Sequence, residues 1–463
     1  MRAGNVKRTG YERSEAMGQE AISKLLLRFS VPAIIAAETA AGYNLFDAIW
    51  CGRLSTEALA ALTVAGPLMA IYRAIGSGIA VGAASLIGRC LGAGKKEEAN
   101  RAAGCSISFF FILSGLVTII CLMNLRTLLR LFGAGDSVLP FAESYMTIET
   151  YWLALDFFLV VLVDLVRVEG RPTLANASMV VASIADIIWS PILVFGLGPF
   201  PALGIAGAAL GTTIGRGIGV SILLIYLASG KSIYRFKPSY FLPNLKTVTE
   251  IYSVGMSQTV RASGVSVSQI LASRAAASFG VVPLAVLGVI LKVNSIVFSF
   301  CIGIGQGMLP LVAYNFAAQK KERVGELVVK AGLTSTLWGA LWWVVATLFS
   351  TQVMSVFDTN PVFLAGGPPA LQIFAWGFFT LGLQHNLSSF FQGIGRSVPS
   401  LIVASSRHII FLIPCLLIMP STFGSTGLWA AYPLAGALSL ALTLAWTGIA
   451  FRSLGIPFRL RST

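Results

Sequence analysis

The chain has 463 residues, of which 56% are hydrophobic and only 11% are charged, and its formal net charge is +14. Soluble domains carry about a quarter charged residues, and a helix that crosses a membrane needs roughly 20 apolar residues. The composition therefore excludes an ordinary soluble domain and predicts an all-α protein that crosses the membrane many times.

Twelve apolar segments, each long enough to span a bilayer, follow one another along the chain. They cover approximately residues 25–49, 59–87, 104–124, 141–168, 174–197, 204–228, 248–278, 283–316, 325–350, 364–391, 397–420 and 425–451. We therefore expect an N-terminal segment (1–24), an N-lobe of helices 1–6 (25–228), a linker (229–247), a C-lobe of helices 7–12 (248–451) and a C-terminal tail (452–463). No cleavable signal peptide is visible at the start of the sequence.

The basic residues lie mostly on one side of this predicted topology. The N-terminal segment, the even-numbered connections and the tail hold most of the Lys and Arg outside the spans, whereas the odd-numbered connections hold only Arg53, Arg126 and Arg130. Because Lys and Arg concentrate in cytoplasmic loops, both termini are predicted to be cytoplasmic. The positive charge is explained by membrane insertion, and we expect no nucleic-acid partner.

The second half of the sequence repeats the first. The stretch IAVGAASLIGRCLGAGKKEEA (79–99) aligns with IGQGMLPLVAYNFAAQKKERV (304–324), so that Gly82 falls on Gly307. Six helices per copy give both copies the same orientation, which is typical of parallel-repeat transporters.

An acid stands in the first predicted helix, in the stretch YNLFDAIW (43–50). A charged residue at membrane depth costs about 2.5–3.5 kcal/mol and is a functional candidate by default. Tyr43 and Asp47 are four residues apart and share a helix face, so they could ligate a small cation or share a proton. The repeat position of Asp47 is Ala272, which assigns this chemistry to one half of the chain.

The fifth predicted helix carries a second acid within SIADIIWSP (183–191). Ser183, Asp186 and Ser190 share one face, and Pro191 frees the carbonyl of Ile187. These hard oxygen ligands suit Na⁺ or a proton better than a soft metal. We predict that Asp47 and Asp186 bind the coupling cation, and that they are the metal ligands if the cation is Na⁺. The alternative is that each acid pairs with a base or an Asn elsewhere in the bundle.

Other charged residues inside the spans are weaker candidates. Glu38 precedes Asp47 by nine residues, which places it about half a turn round the helix and on another face, and Asp164 could simply pair with Arg167; both are retained as possible additional acids.

The second half has bases within its spans but no deep acid. Arg261, Lys292 and Arg407 could line a cavity for anionic groups, contact lipid headgroups or hold the bundle together. We predict a substrate cavity at these three residues and leave the other two interpretations open.

Several functional classes are disfavoured. The two histidines are isolated, no loop is large enough for a catalytic domain, and GAGKK lacks the spacing of a phosphate-binding loop. The six scattered cysteines predict neither disulfides nor a zinc site. We therefore expect a protein that is not an enzyme and that needs no cofactor besides a coupling H⁺ or Na⁺.

The sequence resembles the multidrug and toxic compound extrusion (MATE) transporters, especially their bacterial DinF-like and MepA-like branches. The resemblance rests on PAIIAAETAAGYNLFDAIWCGRL (32–54), GSGIAVGAASLIGRCLGAGKKEEANRAAG (76–104), VEGRPTLANA (168–177), SPILVFGLG (190–198), GIAGAALGTTIG (204–215) and FFQGIGRSVPSL (390–401). It implies a V-shaped fold of two six-helix lobes that exposes its cavity alternately to the two membrane faces.

In this branch the coupling site uses a Tyr and an Asp on helix 1, an Asn and an Asp on helix 5, and a Thr on helix 6. Tyr43, Asp47 and Thr212 match this pattern. Helix 5 departs from it, because Asp186 occupies the Asn position and Ser190 the Asp position. The carboxylate is thus displaced by one turn, about 5.4 Å along the axis.

The resemblance implies a secondary active exporter that couples inward H⁺ or Na⁺ movement to efflux of organic, amphipathic or cationic compounds. A flippase or exporter for a lipid-linked or anionic amphiphile on the same fold is the alternative. We expect a monomer in the bacterial inner membrane, whose partners are the lipid bilayer, the coupling cation and a small organic substrate.

Overall fold

The computed structural model describes residues 10–457, apart from the side chains of residues 10, 11, 41, 44 and 45. Residues 1–9 and 458–463, which belong to the predicted N-terminal segment and tail, lie outside the described part. Within it the regular elements are helices, and no strand is found. They are α1 (Gly10–Ala16), α2 (Ile22–Leu54), α3 (Thr56–Gly92), α4 (Lys96–Leu131), α5 (Leu139–Tyr151), α6 (Leu153–Val168), α7 (Pro172–Phe195), α8 (Ile205–Ala228), α9 (Leu245–Ser278), α10 (Val281–Ala317), α11 (Lys321–Leu348), α12 (Ser350–Ser355), α13 (Pro361–Ala375), α14 (Phe378–Gly393), α15 (Ser397–Ser405) and α16 (Ile413–Leu454).

The helices match the twelve predicted spans. Among the described residues, seven helical segments are long and apolar enough to cross a membrane, and the pair α13 and α14 gives an eighth. One of the seven, Ser397–Leu454, contains two predicted spans, which meet at Gly424 with a positive φ of 62°. The other spans correspond to α2, α9 and the pair α5 and α6, in which charged or polar residues interrupt the apolar run.

Two spans predicted as continuous helices are broken. The fourth is interrupted at Trp152, between α5 and α6, and the tenth bends by 41° between α13 and α14. The alignment that relates Gly82 to Gly307 also places Trp152 on Gly377, the residue just before α14. The repeat therefore preserves a helix break as well as the helices.

The chain forms two compact units, whose boundaries differ from those of the predicted lobes. Unit 1 comprises the described residues of Met1–Ala21 with Ile35–Gly255 and Ala313–Ala318, and unit 2 comprises Ile22–Ile34, Met256–Val312 and the described residues of Gln319–Thr463. The first turns of α2 belong to unit 2 because they pack against α10, and the first turns of α9 belong to unit 1 because they pack against α3. Pro32 and Pro310 each lie two residues before a unit boundary, at Ile34 and Val312.

Two equivalent glycines explain why the first turns of α2 and α9 each belong to the unit formed mainly by the other repeat. On α3, Gly82 lies directly against the backbone of Ile251. On α10, Gly307 lies against Ser30 in the same way, with the Ser30 hydroxyl oxygen 2.5 Å from the place a Cβ would occupy. Because Gly82 and Gly307 are equivalent in the repeat, the second helix of each copy uses the same glycine to receive the first helix of the other copy.

This close approach makes Gly82 intolerant of a side chain. In Gly82→Ala the new methyl group would overlap the carbonyl of Ile251, and overpacking of this kind costs about 1–3 kcal/mol. We expect a lower melting temperature in detergent. Gly115→Ala on α4 is the control, because nothing lies within 4 Å of the added methyl group; equal melting temperatures of the two variants would contradict the packing described.

The linker is fixed to unit 1 by a buried acid that the sequence analysis did not single out. Glu169, at the end of α6, accepts hydrogen bonds from the Ser232 hydroxyl at 2.7 Å and the Ile233 backbone N–H at 3.3 Å, and also from the Tyr226 hydroxyl. Burial raises the pKa of Glu169, whereas these donors lower it. The carboxylate thus holds the beginning of the linker against the ends of α6 and α8.

Candidate cation site and basic cavity

Small residues bring α7 and α8 of unit 1 into backbone contact. Gly211 of α8 faces Ser190 of α7, whose hydroxyl oxygen lies 2.6 Å from the place a Cβ would occupy, and Gly215 faces Ala182. These α8 glycines, spaced four residues apart, are thus explained by helix packing. This approach places Thr212 of α8 beside Asp186 of α7.

The two predicted acids lie near each other inside unit 1. Asp47 and Asp186 are 6% and 2% exposed, Asp186 is an electrostatic neighbour of Asp47, and Ser190 lies beside both. The Ser190 hydroxyl donates a hydrogen bond to Asp186 Oδ1 at 2.9 Å. The second oxygen of Asp186 is buried and has no hydrogen-bond partner, which leaves it available to a bound cation.

Thr212 adds a further oxygen to this site. Its side chain contacts Asp186, and its hydroxyl donates to the carbonyl of Ala208 at 3.1 Å, so a lone pair of the hydroxyl remains free to accept or ligate. Asp47, Asp186, Ser190 and Thr212 therefore form a set of carboxylate and hydroxyl oxygens, which is the ligand chemistry of a proton or Na⁺.

An ion-pair network borders this oxygen set. Arg216 of α8 contacts Glu149 Oε2 at 2.8 Å and Asp156 Oδ1 at 3.0 Å. The guanidinium thus joins α5, α6 and α8 across the helix break at Trp152. No local sequence pattern predicts these ion pairs, because Arg216 lies 67 residues from Glu149 in the sequence.

Tyr43 is connected to this ion-pair network through a second arginine, Arg73. Its hydroxyl accepts a hydrogen bond from Arg73 at 3.2 Å, and Arg73 is in turn an electrostatic neighbour of Glu149, Asp156 and Arg216. The structure therefore links Tyr43 to Arg73, while its direct cooperation with Asp47 stays a prediction.

The charged residues of this region form what we call the carboxylate cluster. Its members are the acids Asp47, Glu149, Asp156 and Asp186 and the bases Arg73 and Arg216. Arg216 neutralises part of the charge of Glu149 and Asp156, and four acids face only two bases. Two negative charges are left over in an apolar environment, and two cations would balance them.

One of the additional acids suggested by the sequence is paired away from this cluster. Asp164 forms an ion pair with Arg167, which also donates to Asn176 Oδ1 at 3.1 Å. Glu38 is half-buried on α2, and its contribution to cation binding stays a prediction.

Unit 2 holds a cavity of about 80 Å³ that includes two of the three predicted basic residues. Arg261, Arg407, His385 and His408 line it together with polar and aromatic side chains. Lys292, predicted with them, is exposed on α10 with its ammonium group 5.7 Å from the Phe357 ring centre, and it does not line the cavity.

Comparison with known proteins identifies the family. The MatE family model matches residues 32–192 and 262–417, one segment in each repeat. The chain belongs to the MatE family. This is a family of membrane transporters and not of catalytic enzymes, which agrees with the many apolar helices of the fold.

Relatives of this MatE protein carry different names. The chain is 23% identical over 449 residues to multidrug export protein MepA from Staphylococcus haemolyticus, covering 96% of this chain and 95% of the relative. It is 24% identical over 423 residues to a protein named FAD transporter from Shewanella oneidensis, covering 90% and 92%.

A solved structure with the same fold comes from Pyrococcus furiosus. It matches with a TM-score of 0.89 and 22% identity, over 95% of this chain and 98% of that one. That protein is described as a transporter of the MOP superfamily whose binding pocket has reverse polarity, suggesting a different function. The match confirms the transporter fold expected from the sequence.

Proposed function

We propose that this MatE protein is an antiporter that couples inward movement of H⁺ or Na⁺ to the efflux of organic, amphipathic or cationic compounds by alternating access. The observation that carries the proposal is the pair of buried carboxylates, Asp47 and Asp186, which the ion pairs of unit 1 leave without a balancing charge. The name of the MepA relative, a multidrug export protein, supports the substrate class. We propose no cofactor besides the coupling cation.

The two carboxylates would act as the exchangeable cation site. Without a cation, Asp47 and Asp186 repel each other in an environment that solvates charge poorly. A bound cation removes this repulsion and lets α2 repack against α7 and α8. Pro32, which lies just before the unit boundary within α2, removes one helical hydrogen bond and gives the helix a place to bend.

Transport follows if the cation and the substrate stabilise different conformations. A ligand shifts a conformational equilibrium only by its difference in affinity for the two states, and the coupling between two ligands is reciprocal. Cation binding from outside would then promote substrate release to the outside, and substrate binding from inside would promote cation release to the inside.

The arrangement in the membrane is part of the proposal. The excess of Lys and Arg in the even-numbered connections favours a topology with both termini cytoplasmic, in a bacterial inner membrane. Because the oxygen set lies entirely within one chain, a monomer would suffice for coupling.

Reconstituted transport tests this function. Proteoliposomes containing the full chain would be given a pH gradient or a Na⁺ gradient separately, and the movement of rhodamine 6G, a lipophilic cation, would be followed by fluorescence. We expect one of the two gradients to drive rhodamine 6G transport above the rate of protein-free liposomes. Transport that neither gradient accelerates would contradict an antiporter.

A second candidate is an exporter or flippase of an anionic or lipid-linked amphiphile. The basic cavity of unit 2 favours it, and so does the name of the FAD transporter relative, since FAD carries a pyrophosphate. In the same proteoliposomes, gradient-driven movement of carboxyfluorescein but not of rhodamine 6G would select this candidate.

A further inference from the structure

The cavity of unit 2 is lined by bases and has no acid among its walls. Arg261 comes from α9 and His385 from α14. Arg407 and His408 come from a π-helical turn at Ser406–Leu412, between α15 and α16. Such π-helical turns are rare and occur frequently at functional sites. Here the turn carries two adjacent basic side chains of the cavity.

The two guanidinium groups have neutral partners. Arg261 donates to Gln258 Oε1 at 2.9 Å, and Arg407 donates to Thr380 Oγ1 at 3.0 Å. The sequence of unit 2 contains three acidic residues, and none of them lines the cavity: Glu322 and Asp358 are exposed, and Glu326 pairs with Lys330. Within the described part of unit 2, neither guanidinium forms an ion pair with a carboxylate.

An arginine stays charged even when buried, so these two charges need an anion. Guanidinium groups remain protonated in proteins, and a buried charge without a counter-ion is strongly unfavourable. Arg407 is 7% exposed. The positive charge at this cavity is thus a cost to the free protein unless a ligand offsets it.

The fold also makes room for these groups. Gly436 lies where a Cβ would be 3.3 Å from Arg407 Nη1, and Gly377 lies where a Cβ would be 3.7 Å from Nη2. His385 is 7% exposed, and its Nδ1 has no hydrogen-bond partner. The two glycines thus let the Arg407 guanidinium pack close to the backbone, and the unpartnered imidazole nitrogen of His385 gives the cavity a hydrogen-bonding group that is free to bind a ligand.

We infer that this cavity binds the oxyanion of an organic ligand, either a carboxylate or a phosphoryl group. Both match the forked donors of arginine. The volume of about 80 Å³ is well above the roughly 10–15 Å³ that a single bound water needs, so the cavity has room for an anionic group. Phe298 and Tyr432 in the cavity wall provide apolar surface for the part of the ligand next to the anion.

Binding to the purified full chain in detergent tests this inference. Benzoate and phenyl phosphate would be titrated against the wild-type protein and against Arg261→Gln, Arg407→Gln and Arg274→Gln, with the melting temperature measured in each case. Arg274 is the matched control because it lies on α9 with Arg261 but is exposed and does not line the cavity.

We expect the wild-type protein and Arg274→Gln to bind at least one of the two compounds equally, and the other two variants to bind it at least about tenfold more weakly. Without the ligand, Arg407→Gln should melt no lower than the wild-type protein, because an unpaired buried charge has been removed. Equal affinity in all four proteins, or no binding of either compound, would overturn the inference.

Chloride and inorganic phosphate distinguish an organic ligand from a simple ion. If these ions bind and neither organic anion does, the site holds only an inorganic ion and the inference is wrong. Preference for phenyl phosphate or for benzoate separates the two oxyanions, and either preference supports it.

The inference rests on the second candidate function, export of an anionic amphiphile, only in making the ligand a transported compound. Detergent binding needs no ion gradient, so failure of gradient-driven transport would refute the antiporter and leave this binding result standing.

Discussion

Asp47→Asn and Asp186→Asn are each expected to abolish ion-driven efflux while leaving folding and membrane insertion intact. Each variant removes one of the two carboxylates that are unbalanced in unit 1, so the site loses the charge that attracts the coupling cation. We expect gradient-driven transport of rhodamine 6G to fall at least about tenfold, which corresponds to about 1.4 kcal/mol. The measurement is the initial rate in proteoliposomes under the gradient that drives the wild-type protein.

Glu143→Gln is the control for these two variants. Glu143 also lies in unit 1, but it forms a surface ion pair with Arg126 at 3.1 Å and contributes nothing to the carboxylate cluster. Its transport rate should equal that of the wild-type protein. Normal gradient-driven transport by Asp47→Asn would remove Asp47 from the coupling site.

Arg216→Gln is expected to destabilise unit 1 and impair transport through a different route. The substitution leaves the buried Glu149 and the half-buried Asp156 without their shared cation, and breaking a buried ion pair costs about 3–5 kcal/mol. We expect a large fall in melting temperature in detergent. The double variant Glu149→Gln with Arg216→Gln should recover part of the loss, because one of the unpaired carboxylates is then neutral.

Arg126→Gln gives the matched comparison for a surface pair. Arg126 is largely exposed and its partner Glu143 is half-buried, and exposed ion pairs contribute about 0–1 kcal/mol. Its melting temperature should therefore change little. If Arg216→Gln and Arg126→Gln had equally small effects, the network around Arg216 would not be the structural support described above.

The fold could be predicted to a large extent from sequence because membrane spans depend on local composition. The twelve segments and the repeat follow from apolar runs and recurring motifs, and the structure has helices at each of them. The break at Trp152 and the bend before Phe378 were not predicted, since each lies within a segment whose overall composition is apolar enough for a single span. The first turns of α2 and α9 belong to the other unit because of glycine contacts between residues that are far apart in sequence. Composition does not indicate such contacts.

The candidate site could be predicted only where a charge stands out in an apolar run. Asp47 and Asp186 did so, and the structure places both beside Ser190 and Asp186 also beside Thr212. Glu149 was missed because it lies among polar residues in MTIETYW, and its partner Arg216 is 67 residues away. Sequence also could not separate Lys292 from Arg261, because both lie within predicted spans and only the packing shows which one lines the cavity.

Cation release upon substrate binding tests the central proposal most directly. The purified full chain would be placed in weakly buffered detergent with a pH-sensitive dye and a Na⁺ electrode, and rhodamine 6G would be added. We predict that the wild-type protein releases H⁺ or Na⁺ and that the double variant Asp47→Asn with Asp186→Asn releases neither. Undiminished release from the double variant would contradict the assignment of these two carboxylates as the coupling site.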